Sequence, residues 1–354
     1  MRLHSVSVLR LAIRVLLPWL FLAPLARAWD YEGHRIVNQL ALASLPPEYP
    51  QFVHAAANRE RVAFLSGEPD RWRNVPDLPI KHYNGIDHYC DLEYIPEAGL
   101  DWATVPSLRY DFVVQFAAGR KAHEQNFAPI DPAKNSDHTR EWPGFVPWAI
   151  TEYYGKLRAS FSSLKVFEEL GTPDEIMNAQ ANVLYLMGVM GHYVGDGAQP
   201  LHTTKHHNGW VGANPQGYTT WPGLHSWIDG GIIAKVAIRA PSLLARVKTA
   251  HPIALAARPD GRDPMFAAVV DYLQSEHKYV EWVYQLEKAG KLGQGEQGVV
   301  ADETRAFIEA RLVDGGQMLG AIWLTAYRNA IPDTYLRSSL IRRQTGAAES
   351  VPRK

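Results

Sequence analysis

The chain has 354 residues, 46% of them apolar, so it can bury a sizeable core and its bulk is not disordered. Lys and Arg number 36 against 37 Asp and Glu, a net charge of -1, which excludes a protein that binds nucleic acid through overall charge; any such contact must be local. One cysteine, Cys90, excludes an intrachain disulfide and a cysteine-based metal cluster, leaving His, Asp and Glu as the available metal ligands.

In chain order, residues 1–28 carry Arg2, Arg10 and Arg14 and no acid, then the apolar run Val15–Ala23, then Ala26-Arg27-Ala28, a small-x-small cleavage pattern. The run contains Pro18 and falls short of the ~20 residues a membrane span needs. A cleavable export signal is therefore expected, giving a secreted or periplasmic protein that starts at Trp29 and has no membrane insertion. Its 326 residues would carry 32 positive and 37 negative groups, a net of -5.

From Glu32, the apolar residues Ile36, Val37, Leu40 and Ala41 follow helical spacing up to Pro46-Pro47. Further helices are predicted around 51–65, 107–123, 145–168, 175–196, 239–249, 264–289 and 301–330. Within 178–194 the sequence is apolar almost all round, as in a central buried helix. Alternating strand patterns are nearly absent. Segments 67–105, 124–144 and 203–224 are rich in Pro, Gly, Asn and Trp and read as long ordered loops, which inside a compact domain are usually functional. The expected fold is all-α: one multi-helix domain over 29–336, a monomer, with a flexible tail over 337–354.

His192 and Asp196 are four apart and so share one helical face, near enough to converge on an ion. His225 and Asp229 repeat the spacing, and His202 stands between the pairs after Gly195-Asp196-Gly197-Ala198-Gln199-Pro200-Leu201. Five histidines fall in residues 192–229, where even spreading would leave one or two. Either pair alone reads more readily as a helix-surface hydrogen bond; two pairs plus His202 favour a metal site, above all zinc. His206 and His207 read as solvated or supporting groups.

These residues resemble the zinc-dependent S1/P1 nucleases, relatives of the bacterial zinc phospholipases C. The resemblance rests on His192-x3-Asp196-x5-His202, on Leu224-His225-Ser226-Trp227-Ile228-Asp229, and on Trp29-Asp30-Tyr31-Glu32-Gly33-His34, which is similar to the mature start of those nucleases. It implies three zinc ions. His192 and Asp196 would hold the first, with Asp196 bridging to an ion also bound by His34 and by the amine and carbonyl of Trp29. His202, His225 and Asp229 would hold the third. Asp70, in Gly67-Glu68-Pro69-Asp70-Arg71-Trp72-Arg73, and His88, favoured over His82, would complete the first ion's set. An α-amine with a pKa near ~8 yields its proton readily to a divalent ion, whereas an amide nitrogen does not, so cleavage before Trp29 would create a ligand.

The implied activity is phosphodiester hydrolysis through a zinc-activated water, with Asp70 orienting or deprotonating that water and Arg73 clamping the phosphate. A single-stranded nucleic acid or nucleotide is the expected substrate. Trp210, Tyr218 and Trp221 are candidates to stack a base, and Asn214 is a loose counterpart of the family's base-holding residue. The chain departs from fungal and plant members in lacking disulfides and the Gly-Gly-Asn segment. The alternatives are a phospholipase C-like hydrolase on the same metal site and a non-catalytic zinc-binding exported protein.

Overall fold

The computed structural model describes residues 29–346. The expected export signal, 1–28, lies outside them.

The first helix, α1 (Tyr31–Ser44), starts where Asp30 accepts hydrogen bonds from the backbone N–H groups of Glu32 and Gly33. Four helices follow: α2 (Ala56–Leu65), α3 (Glu68–Arg73), α4 (Leu78–Gly85) and α5 (Tyr94–Glu97). Next come α6 (Arg109–Ala122), α7 (Val146–Leu170) and α8 (Pro173–Ala198), the last opened by a reciprocal cap between Thr172 and Glu175. Short α9 (Leu224–Ser226) continues through a π turn (Trp227–Gly231) into α10 (Ile232–Lys235). The chain closes with α11 (Ala240–Leu243), α12 (Pro264–His277), α13 (Val280–Lys288), α14 (Asp302–Arg328) and α15 (Thr334–Thr345). Among the described residues there is no strand, so the all-α expectation holds.

Helix α8 is the axis, packing on α1, α2, α3, α7, α12 and α14. Every residue from Met187 to Ala198 is buried, as the all-round apolar pattern predicts. Each buried Val, Leu or Met side chain here contributes roughly 1.5–3 kcal/mol by leaving water. Two small residues set the spacing. A Cβ at Gly191 would collide with the Asn38 side chain, which donates to the carbonyls of Val62 and Gly188 at 2.8 and 3.0 Å and so joins α1, α2 and α8. A Cβ at Gly195 would come within 2.9 Å of His34 Nδ1. The inner face of α1 can therefore sit against α8 where His192 and Asp196 emerge.

Four sequence expectations need correction. Segment 67–105 is not a plain loop: α3, α4, a 3-10 turn (Ile86–His88) and α5 occupy much of it, and in α3 and α4 a proline in the first turn starts a short helix that a Pro-rich composition hides. The helix expected over 264–289 breaks between His277 and Val280. The one expected over 239–249 is only α11 and a 3-10 turn, Leu244–Arg246. The expected loose tail is helical as far as Thr345: Asp333 caps α15, Leu340 is buried, Arg343 pairs with Glu175, and Arg337 pairs with Glu169. Residues 347–354 of that tail lie outside the described residues. No helix among the described residues is long and apolar enough to cross a membrane.

Candidate metal centre

Six elements deliver side chains to one buried place: His34 from α1, Asp70 from α3, His88 from the turn after α4, His192 and Asp196 from α8, and His225 and Asp229 from α9 and its π turn. His202 comes from the 3-10 turn Pro200–Thr203, where Gly and Pro end α8 and fold the chain back. All eight are buried.

They form three groups whose ligand atoms lie within 4.8 Å of one another: His34, Asp70 and His192; His88, His192 and Asp196; His202, His225 and Asp229. Asp196 stands between them. Its Oδ1 is 3.5 Å from His34 Nε2 and 3.6 Å from His202 Nδ1, while its Oδ2 is 3.2 Å from His88 Nδ1 and 3.3 Å from His192 Nε2. His225 Nε2 lies 3.2 Å from Asp229 Oδ2, so the i,i+4 spacing survives the π turn.

Neighbouring backbone and amide groups orient the ligands. His192 Nδ1 meets the Ser66 carbonyl at 2.7 Å, which leaves Nε2 to face Asp196 and His88. His202 Nδ1 meets the His88 carbonyl at 2.7 Å, leaving Nε2 toward Asp229. Gln199 bridges Asp229 Oδ1 and the Leu201 N–H. Asp70 pairs with Arg73 at 2.7 Å. The N-terminal segment is tied in as well, since the Asp30 N–H donates to the Asp229 carbonyl and the buried Trp29 ring borders Gly195.

Electrostatics point to a missing positive charge. Burial lowers His192 to about 4 and His202 to about 3, and holds His34, His88 and His225 well below the ordinary imidazole value, so all five are neutral at pH 7 and offer lone pairs. Burial pushes Asp196 and Asp229 well above the carboxylate range; the Asp70 charge adds to the effect at Asp196, and the Gln199 hydrogen bond offsets part of it at Asp229. Both ring nitrogens of His34 and His225, both oxygens of Asp196 and His202 Nε2 are buried without a hydrogen-bond partner. Orphaned lone pairs of this kind cost roughly 1–3 kcal/mol each. A cation that prefers N and O ligands removes that cost, and the donor set fits a metal site.

The centre opens on a cleft of about 310 Å³ whose walls include Arg73, His88, His202, His207 and His225, together with Tyr89, Lys134, Arg140, Trp142 and Lys205. The structure thus brings together the eight predicted ligands, with Trp29 beside them. His82 is elsewhere: it is exposed, and its Nδ1 meets the Asp137 carbonyl at 2.7 Å.

The predicted base-binding residues are not on these walls. Trp210 stacks on His206 at 3.9 Å, packs on Tyr218 and Tyr284, and donates from Nε1 to the Ala213 carbonyl. Tyr218 is buried, and the Asn214 amide closes a turn by hydrogen bonding to both the N–H and the carbonyl of Tyr218 at 2.8 Å. Trp221 lies over Gly223, and none of the four lines the cleft. The sequence reading missed Lys134, Arg140 and Trp142; the one signal for them was the expectation that 124–144 is a functional loop. No family model matches the chain, and no curated protein matches it at a significant level.

Proposed function

We propose that this chain is an exported phosphodiesterase of the S1/P1 nuclease kind, holding three zinc ions and cleaving single-stranded RNA or DNA. The observation that supports it most is the convergence of three His/Asp groups around Asp196, beside a cleft lined by His88, His202 and His225 that also exposes Arg73 and further cations. His88, His192, Asp70 and Asp196 would hold the first ion, His34, Trp29 and Asp196 the second, and His202, His225 and Asp229 the third. Zinc bound there supplies Lewis acidity that brings the pKa of water toward ~7 and neutralises charge on phosphoryl oxygens.

The protein's own part in the chemistry is positioning. Asp70 accepts a hydrogen bond from the attacking water and, through its ion pair, fixes Arg73 at the cleft. Arg73 donates to the phosphoryl oxygens as negative charge grows on them. Removal of residues 1–28 would free the Trp29 amine to serve as a ligand, in a segment whose Trp29 ring lies beside Gly195 and whose Asp30 N–H is bonded to the Asp229 carbonyl.

The test is metal content of the protein starting at Trp29, with product release from single-stranded DNA, RNA and phosphatidylcholine. Three zincs with cleavage of either nucleic acid support the reading. Three zincs with hydrolysis of phosphatidylcholine alone would replace it with the phospholipase reading, and a zinc-loaded protein inert on all three would leave a non-catalytic zinc binder.

A further inference from the structure

The mature chain is net acidic, yet four cations, Arg73, Lys134, Arg140 and Lys205, line the cleft over the metal centre. Arg73 is held by Asp70 on the floor, and Lys205 is paired with Glu97. The other two belong to the wall formed by 124–144, where a dense internal network holds the backbone; Lys134 makes only an exposed ion pair there, its Nζ 3.7 Å from Asp131 Oδ2. The buried Asn135 side chain donates to Glu141 at 2.7 Å and accepts from the Arg140 N–H at 3.1 Å. His82 meets the Asp137 carbonyl, and the Asp91 N–H donates to the Pro143 carbonyl at 2.6 Å. Gly144, at φ +99°, lies so close to the Tyr89 carbonyl that a Cβ would collide with it.

On this frame Arg140 Nε donates to the Lys134 carbonyl at 2.7 Å, which sets the two cationic residues side by side. Of the acids on the same walls, Asp137 spends Oδ1 on the N–H and hydroxyl of Thr139, and Asp91 is buried. The rim therefore presents positive charge on a preorganised wall, away from the atoms that would hold the metals.

We propose that Lys134 and Arg140 grip backbone phosphates flanking the scissile one, so that the enzyme favours a single-stranded polynucleotide over a mononucleotide or a small phosphodiester. The inference rests on the phosphodiesterase reading and assigns its substrate length. A contact of this kind is electrostatic and indifferent to base and sugar.

The test compares zinc-loaded wild type with a Lys134→Ala/Arg140→Ala double variant. One substrate is a 20-nucleotide single strand over 50–200 mM salt, and the other is bis(p-nitrophenyl) phosphate. The double variant should raise KM for the oligonucleotide roughly tenfold at the lowest salt and reduce the slope of log affinity against log salt by about 1.4, the value for two phosphate contacts on a single strand. Its zinc content and kcat/KM for the small diester should be unchanged. Lys134→Arg/Arg140→Lys should restore the slope, since charge and not identity is read. An unchanged oligonucleotide KM and slope would overturn the proposal alone, as would a parallel loss on both substrates. A wild-type enzyme that cuts the small diester but neither binds nor cuts the oligonucleotide would overturn the nuclease reading as well.

Discussion

Loops 124–144 and 203–223 both run beside the candidate metal centre, and their composition suggests opposite roles to those their side-chain contacts favour. The second is rich in Trp, Tyr and His, yet all its aromatic rings but Trp221 are largely spent on packing: Trp210 lies between His206, Tyr218 and Tyr284, and Asn214 closes the turn beneath. The first has fewer aromatic residues, but polar groups of its frame are satisfied internally, and Lys134 and Arg140, with only an exposed ion pair to Asp131 and one backbone bond between them, line the cleft. A side chain is available to a ligand only when its own fold does not consume it, and composition does not report that. The metal floor below the two loops gives the reference against which both can be tested.

The largest effect is expected on that floor. Asp196→Asn should cut activity by roughly three orders of magnitude and lose more than one metal ion, because its two oxygens face histidines of separate groups and, with divalent ions bound there, its charge would offset the repulsion between them. Asp229→Asn should be milder, since Asp229 serves one group. Equal metal content and activity in the two variants would remove Asp196 from the bridging position.

Acid should act on the same floor in a definite direction. His192 and His202 have folded values of about 4 and about 3, below the ordinary 6.5, so at these two sites the unfolded chain binds more protons than the folded one within that window. These two imidazoles therefore withdraw stability from the metal-free protein as pH drops below 6.5 toward 3, while the raised carboxyls of Asp196 and Asp229 act in the opposite sense. Protons also compete with the cation for these imidazoles, so the rise in Tm on adding zinc should shrink from pH 7 to pH 5. Thermal melts with and without zinc at pH 7, 6 and 5 check this; a zinc effect that grows on acidification would contradict it.

Trp210→Ala comes next. Removing a half-buried ring packed on three others should cost about 2–3 kcal/mol of stability, visible as a lowered urea midpoint, while leaving KM for single strands within about twofold in the folded fraction. A tenfold rise in KM at unchanged stability would restore the base-stacking role to this loop.

How much was legible in the sequence follows from these contrasts. His192–Asp196 and His225–Asp229 could be read because a helix carries residues four apart on one face, and a single π turn did not undo the second pair. The buried α8 was legible from its apolar circumference. Asp70, His34 and His88 reach the same point from three other elements, and no local spacing encodes that; only the resemblance to a family suggested them. Helix α15 was hidden because it is polar, and its partners, Glu169 and Glu175, stand 168 residues away. The break before Val280 was hidden because the apolar period runs across it. Lys134 and Arg140 were hidden because a loop has no period to say which way its side chains face.

The smallest effect should come from Trp221. It is 37% exposed, lies over Gly223, and contributes through backbone bonds that any residue could make: its N–H donates to the Thr219 hydroxyl and its carbonyl accepts from the Leu224 N–H at the entry to α9. Trp221→Ala keeps both bonds and loses only a partly solvated ring, so stability should change by less than about 1 kcal/mol and bound zinc not at all. KM for a single strand should stay within about twofold, because the ring does not line the cleft. Of the aromatic residues in 203–223, though, Trp221 is the one with a substantially exposed face, and it stands four residues before the candidate ligand His225. If one ring of this loop does swing onto a base, it is this one. A KM increase of tenfold or more, given ~1–3 kcal/mol per stacked base, would show that the two loops share the substrate, with 124–144 holding its phosphates and Trp221 its base.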